Sequence, residues 1–275
     1  MSVTAADIKK LRDTTGAGMM DCKKALNEAE GDFEKAIEIL RKKGQKVSAK
    51  RAENEAKEGV VIALVSDDQA RGVIVKLSSE TDFVAKNEEF INGAQAIAEI
   101  ALAGFPADVE ELKGLTGPNG LAVSKMIEDL LTKFTEKMEL SYERLEAPMV
   151  APYIHMGYKA GVLVGLSASG DGYFDAGRDV AMQVAAMKPV AVNEDGVDQS
   201  VIEKEIEIGM EVARQEGKPE AMLEKIARGK LNKFFKENTL LHQAFVKNNK
   251  QTIADYLHEL DKDLTVTAFK HVTLG

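Results

Sequence analysis

Gly72-Val73-Ile74-Val75-Lys76-Leu77-Ser78 has a near copy later in the chain, Gly161-Val162-Leu163-Val164-Gly165-Leu166-Ser167. Both runs are rich in Val, Ile and Leu, as strands buried on both faces are. Before the first copy, Val60, Val61, Ile62, Leu64 and Val65 form another strand pattern, with Asp67-Asp68-Gln69 as the turn between them. A strand pattern also precedes the second copy. After each copy come a loop and an Ala-rich helix, over about residues 88–103 in one case and 176–187 in the other, the latter closed by Lys188-Pro189. This reads as two α+β halves built on one plan; the alternative is chance likeness between two β-rich runs. Met126, Ile127, Leu130, Leu131 and Phe134 mark a further amphipathic helix within residues 120–140, and Leu264, Val266 and Ala268, followed by Phe269, mark a closing strand.

Upstream of the first half, residues 1–44 read as three short helices. Thr4 and Asp7 form a capping-box-like start with Ile8 and Leu11 on one face, and Gly16-Ala17-Gly18 breaks the pattern. A second helix carries Cys22, Ala25, Leu26 and Ala29 and stops at Gly31. Asp32 caps a third, with Phe33, Ala36, Ile37 and Leu40 inward and its end expected at Gly44. The set resembles a ubiquitin-associated domain. Over residues 41–51 the charges are all positive, Arg41, Lys42, Lys43, Lys46, Lys50 and Arg51. They form either a solvated, partly helical linker or an RNA or phosphate contact. In the second half, Ile202, Ile206, Met210 and Ala213 stripe one helix, Gly217-Lys218-Pro219 turns the chain, and Met222, Leu223, Ile226, Leu231, Phe234 and Phe235 line a returning one. The expected organisation is α+β: a bundle and basic linker over 1–53, a core half over 54–145, and a second half over 146–275 with an inserted antiparallel hairpin at about 198–238.

Composition removes several function classes. The 275 residues carry a net charge of −9 and no tryptophan, which disfavours direct nucleic-acid binding. Cys22 is the single cysteine, so disulfides and Cys-rich zinc sites are excluded, and it reads as packing rather than as a nucleophile. No signal-peptide pattern or membrane-length apolar run is present, so a cytoplasmic protein without membrane contact is expected. GxxxxGK[ST], GxGxxG after a strand, and HExxH are all absent, and His155, His242, His258 and His271 lack ligand spacing. No enzyme activity, metal or cofactor is expected.

The most unusual local feature is Ser79-Glu80-Thr81-Asp82-Phe83-Val84-Ala85-Lys86-Asn87, which lies between a strand and a helix. Thr81 or Asp82 can cap the helix while Phe83 staples its first turn into the core. Alternatively, Asp82 and Phe83 project together as an acidic-aromatic wedge.

These residues carry a resemblance to a known family. Leu11-Arg12 with Thr15-Gly16-Ala17-Gly18-Met19-Met20-Asp21-Cys22-Lys23-Lys24-Ala25-Leu26 resembles the opening signature of the elongation factor Ts family, and Thr81-Asp82-Phe83-Val84-Ala85-Lys86-Asn87 resembles its second. Tyr153-Ile154-His155-Met156-Gly157, Gly161-Val162-Leu163-Val164, Val184-Ala185-Ala186-Met187-Lys188-Pro189 and Gly217-Lys218-Pro219 continue it in order. The resemblance implies a guanine-nucleotide exchange factor that binds GDP-loaded elongation factor Tu and disturbs its magnesium and phosphate site. Thr81, Asp82, Phe83 and Val84 would form the part that dislocates the magnesium ion. Met19, Met20, His155 and Gly157 would make further partner contacts; bundle packing for the methionines and a structural role for His155 are the alternatives. Two departures stand out. The family commonly carries a further C-terminal helical module, which is expected to be absent or reduced here, and Tyr158-Lys159-Ala160 is less Gly-rich than the family pattern.

Because no phosphate-binding loop is present, the isolated chain is expected to bind neither GDP nor GTP. Titration calorimetry checks this: no binding heat is expected, and tight binding of either nucleotide would contradict the reading.

Overall fold

The computed structural model describes residues 3–51 and 53–275; the side chains of residues 45–50 are outside the described set, and with them the sequence reading of Lys46 and Lys50 as linker charges. Helices α1 (Ala5–Thr15), α2 (Met19–Glu28) and α3 (Phe33–Lys50) form the N-terminal bundle. The Thr4 hydroxyl accepts from the Asp7 N–H while the Asp7 carboxylate accepts from the Thr4 N–H, so two donors at the start of α1 are satisfied reciprocally. Leu11, Cys22, Leu26, Ala36 and Leu40 fill the bundle's small core.

One expectation is corrected here: α3 does not stop at Gly44. The glycine is used for close approach rather than as a cap. A Cβ at Gly44 would lie 2.6 Å from Oγ1 of Thr132, on a helix of the core. The described members of the basic run are engaged too. Arg41 forks onto Asp129 with bonds of 2.9 and 3.2 Å, Lys42 pairs with Glu38, Lys43 with Asp21, and Arg51 with Glu80. The bundle is therefore docked on the core through α3.

The first half of the core runs β1 (Glu58–Val65), β2 (Arg71–Ser79), α4 (Asp82–Ala85), α5 (Glu88–Gly104), α6 (Val109–Gly114), α7 (Val123–Phe134) and β3 (Glu139–Glu146). The second runs β4 (Met149–His155), β5 (Ala160–Leu166), α8 (Tyr173–Met187), α9 (Gln199–Gln215), α10 (Glu220–Asn238), β6 (Ala244–Phe245), β7 (Asn248–Thr252), α11 (Ile253–His258) and β8 (Val266–Thr273). Each half is a β-hairpin, a helical excursion and a returning third strand. The antiparallel sheets are ordered β1-β2-β3 and β4-β5-β8, with β6-β7 a small separate ribbon.

Strand alternation assigns the two faces of each sheet. Val73, Val75 and Leu77 of β2 pack with Phe90, Ala94 and Ile97 of α5, while Val162, Val164 and Leu166 of β5 pack with Val180, Ala181 and Val184 of α8. The opposite faces meet each other: Val61, Ala63 and Ile74 lie against Val150 and Leu163. The layers are thus helix, sheet, sheet, helix, and both copies of the repeat are buried on both sides.

The repeat's leading glycines sit at the seam between the sheets. A Cβ on Gly72 would fall 2.8 Å from Val150 Cγ1 and 2.9 Å from Leu163 Cδ2. A Cβ on Gly161 would fall 2.8 Å from Val61 Cγ1 and 3.4 Å from Ile74 Cγ2. Leu163 and Ile74 are the third residues of the two copies, so each copy's glycine receives the other's aliphatic side chain.

In the α9–α10 hairpin, Gly209 and Ala213 face Leu223, Ala227 and Leu231. A Cβ on Gly209 would lie 3.1 Å from Ala227 Cα, so the two backbones approach closely. Met222, expected on this seam, is exposed instead, one position off the buried stripe. Among the described residues no helix is long and apolar enough to cross a membrane.

Replacing Gly72 or Gly161 with alanine is expected to destabilise the protein. Overpacking of about 1–3 kcal/mol exceeds the ~0.4–1 kcal/mol gained from a less flexible unfolded chain. Urea unfolding checks this, and an unchanged or raised midpoint would contradict the seam.

Candidate functional site

The candidate site is the corner between β2 and α5. Buried Ser79 ends β2 and donates its hydroxyl to the Thr81 carbonyl at 3.1 Å. Thr81 is extended (φ −122°, ψ 153°) and caps α4, its hydroxyl accepting from the Val84 N–H at 3.4 Å. With only four residues, α4 makes a single turn. Val84 and Ala85 point inward and are buried, and Asn87 caps the next helix. The same turn drives Asp82 and Phe83 outward.

Phe83 is 84% exposed. This decides between the two readings of the motif, because a stapling phenylalanine is buried. Leaving such a ring in water forgoes about 1.5–3 kcal/mol of burial, and a partner surface can recover it. Beside it, Asp82 receives a 2.6 Å bond from the Lys86 ammonium, which holds its carboxyl below the ordinary value. An acidic group and an unburied aromatic ring therefore project together from one helical turn.

A short loop on the other side fixes the corner. The Glu136 carboxylate, just beyond α7, accepts from the Glu80 N–H at 3.1 Å, the Thr81 N–H at 3.0 Å and the Thr81 hydroxyl at 2.6 Å. The Glu80 carboxylate returns the contact, accepting from the Lys137 N–H at 2.6 Å, Arg51 at 2.9 Å and Asn54 at 2.8 Å. Burial raises the Glu80 carboxyl, but these hydrogen bonds outweigh it and leave the group below its ordinary value. Neither glutamate was visible as functional in the sequence. Their partners lie far away along the chain, and an exposed-looking Glu carries no local signal.

His155 ends β4 half-buried, its Nδ1 3.0 Å from the Tyr153 hydroxyl. Met156, Gly157 and Tyr158 follow with φ of +50°, +61° and +74°, a tight left-handed tip on which Met156 is exposed. The Tyr158 carbonyl accepts from the Val61 N–H at 2.8 Å. Val61 is three residues along β1 from Glu58, the partner of Ser79. Along β1, the points where the two loops meet the strand are therefore offset by about 10 Å.

Met19 and Met20 occupy the first turn of α2, exposed, while Cys22, Ala25 and Leu26 take the bundle core. Packing does not account for the two methionines. Gly16, just ahead of α2, abuts the Lys133 side chain, and Lys133 pairs with Glu89 at the start of α5. The start of α2 is thus bridged to the helix that follows the Asp82/Phe83 corner. Met156, inside the Tyr153–Gly157 motif, is a further exposed apolar residue of this tip, and its positive φ has no signature in the sequence.

Comparison with known proteins gives a single answer. The family model described as "Elongation factor TS" matches residues 80–275. Among similar proteins, the elongation factor Ts of Christiangramia forsetii is 55% identical over 99% of both chains. That of Amoebophilus asiaticus is 54% identical over the full length of both, and that of Cytophaga hutchinsonii is 54% identical over 100% of this chain and 99% of its own. On these matches, which run through both halves of the core, the chain belongs to the elongation factor Ts family.

Proposed function

We propose that the chain is a cytoplasmic guanine-nucleotide exchange factor for elongation factor Tu, acting in translation elongation by binding rather than by catalysing a chemical step. The observation that carries this reading is the outward placement of Phe83 and Asp82 on a single, clamped helical turn. On docking, Phe83 enters an apolar gap beside the partner's magnesium site, and Asp82 exchanges Lys86 for groups there. The bundle's methionines and the His155–Gly157 tip widen the contact. The net charge of −9 supports a protein partner over a nucleic acid.

The energetics are those of coupling: a protein that weakens nucleotide binding is itself weakened by nucleotide to the same degree. Loosening GDP by about 1000-fold needs roughly 4 kcal/mol. Burying one phenylalanine supplies about 1.5–3 kcal/mol of it. A carboxylate brought towards a magnesium–phosphate site, where it competes for the ion, supplies the remainder. No bond is made or broken, so no acid, base or nucleophile is required.

The test is release of fluorescent GDP from elongation factor Tu. Replacing Asp82 and Phe83 together with alanine is expected to slow release at least about 10- to 100-fold, the equivalent of the lost ring burial. Because both side chains are exposed, the melting temperature is expected to stay within about 2 °C. Normal exchange by the folded variant would overturn the proposal.

A further inference from the structure

We propose that Glu136 is a positioning residue for exchange: its carboxylate, together with the burial of Val84 and Ala85, sets the attitude of the corner that presents Asp82 and Phe83. This inference rests on the exchange reading above and adds to it a residue outside the motif.

The local sequence cannot hold the corner alone. A four-residue helix is far below the length at which a helix is stable by itself. Phe83 is solvent-exposed and contributes no packing, so only Val84 and Ala85 anchor α4 through burial. The remaining fixation is polar, and it converges on Glu136. One carboxylate oxygen accepts two consecutive backbone N–H groups, of Glu80 and Thr81, at the point where the β2 ladder has ended. The other accepts a hydrogen bond from the Thr81 hydroxyl at 2.6 Å.

This last bond has a directional consequence. A threonine hydroxyl has one proton and two lone pairs. With the proton committed to Glu136, the oxygen presents its lone pairs to the Val84 N–H, which is the cap of α4. Glu136 therefore fixes the rotamer of the cap, the cap fixes the turn, and the turn aims the ring. The reciprocal bond from the Lys137 N–H to Glu80 locks the two segments against each other, and Arg51 ties the same Glu80 carboxylate to the end of α3. A pre-ordered corner inserts without first losing conformational freedom.

The experiment compares four proteins: the unaltered chain, Glu136→Ala, Asp82→Ala/Phe83→Ala, and all three changes together. GDP release from elongation factor Tu is followed over a range of exchange-factor concentrations. The rest of the surface still docks in Glu136→Ala, so the limiting release rate is expected to fall about 10-fold while the half-saturating concentration moves by less than about twofold. General destabilisation would do the reverse, lowering the folded fraction and raising the half-saturating concentration at an unchanged limiting rate. In the Asp82→Ala/Phe83→Ala background, Glu136→Ala is expected to have no further effect. Glu136→Gln, which keeps an acceptor for the two N–H groups, is expected to restore most of the rate.

An independent readout is amide hydrogen exchange. In Glu136→Ala the amides of Thr81 and Val84 are expected to exchange faster, and in Glu136→Gln to stay closer to the unaltered chain, while Val73 to Leu77 stay protected in both. Unchanged protection at Thr81 and Val84 in Glu136→Ala, an unchanged limiting rate, or an equal loss in both backgrounds would overturn the positioning role and leave the exchange reading intact. Normal release by Asp82→Ala/Phe83→Ala would overturn both.

Discussion

Where Gly72 meets Leu163 and Gly161 meets Ile74, each half of the core supplies a gap and a side chain to fill the other's. The sheets can approach only because neither glycine carries a Cβ. Their inner faces thereby become a dry interface, and the helices are left to cover the outer ones. Side chains on a strand alternate strictly, so fixing which residues face the seam also fixes which face α5 and α8. The positions of β2's end, of α4 and of the β4–β5 tip then follow from the strands that carry them.

From that frame, α7 transmits order to the rest of the molecule. Its inner face packs on the first half through Leu130 and Leu131. Its outer face receives the bundle, through Asp129 to Arg41, Thr132 under Gly44, and Lys133 beside Gly16. Just past its end, Glu136 grips the corner at Glu80 and Thr81. Individually the exposed ion pairs contribute little, about 0–1 kcal/mol each. The close approach of Gly44 to the Thr132 backbone, the Lys133 side chain laid on Gly16, and the half-buried carboxylate network carry more of the docking. One helix thus links the bundle's methionines, the core and the Asp82/Phe83 corner.

Much of this was legible in the sequence. The repeated Gly-aliphatic runs gave both central strands, the apolar spacing gave α5, α7 and α8, and Thr4 and Asp7 marked the first helix start. What stayed hidden had physical causes. Gly44 has the form of a helix stop, but a sequence does not reveal whether a glycine is used for positive φ or for close approach, and here it is the latter. Met222 lies beside, not on, a seam whose phase is set by Gly209 against Ala227. Residues 81–84 were ambiguous because a cap followed by a phenylalanine fits both a staple and a projecting wedge. The phase of α4 separates them, turning Val84 and Ala85 inward. Glu136 reaches Thr81 across 55 positions, a pairing no local pattern encodes.

The central claim is that the exposed ring converts docking into loss of nucleotide. It is tested most directly by measuring the Kd of this chain, and of its Phe83→Ala form, for elongation factor Tu with and without bound GDP. The account predicts that Phe83→Ala weakens binding to the nucleotide-free partner about 10- to 100-fold and barely changes binding to the GDP complex, so that the coupling between the two ligands shrinks. Equal weakening of both complexes would make Phe83 an ordinary contact residue and contradict the account.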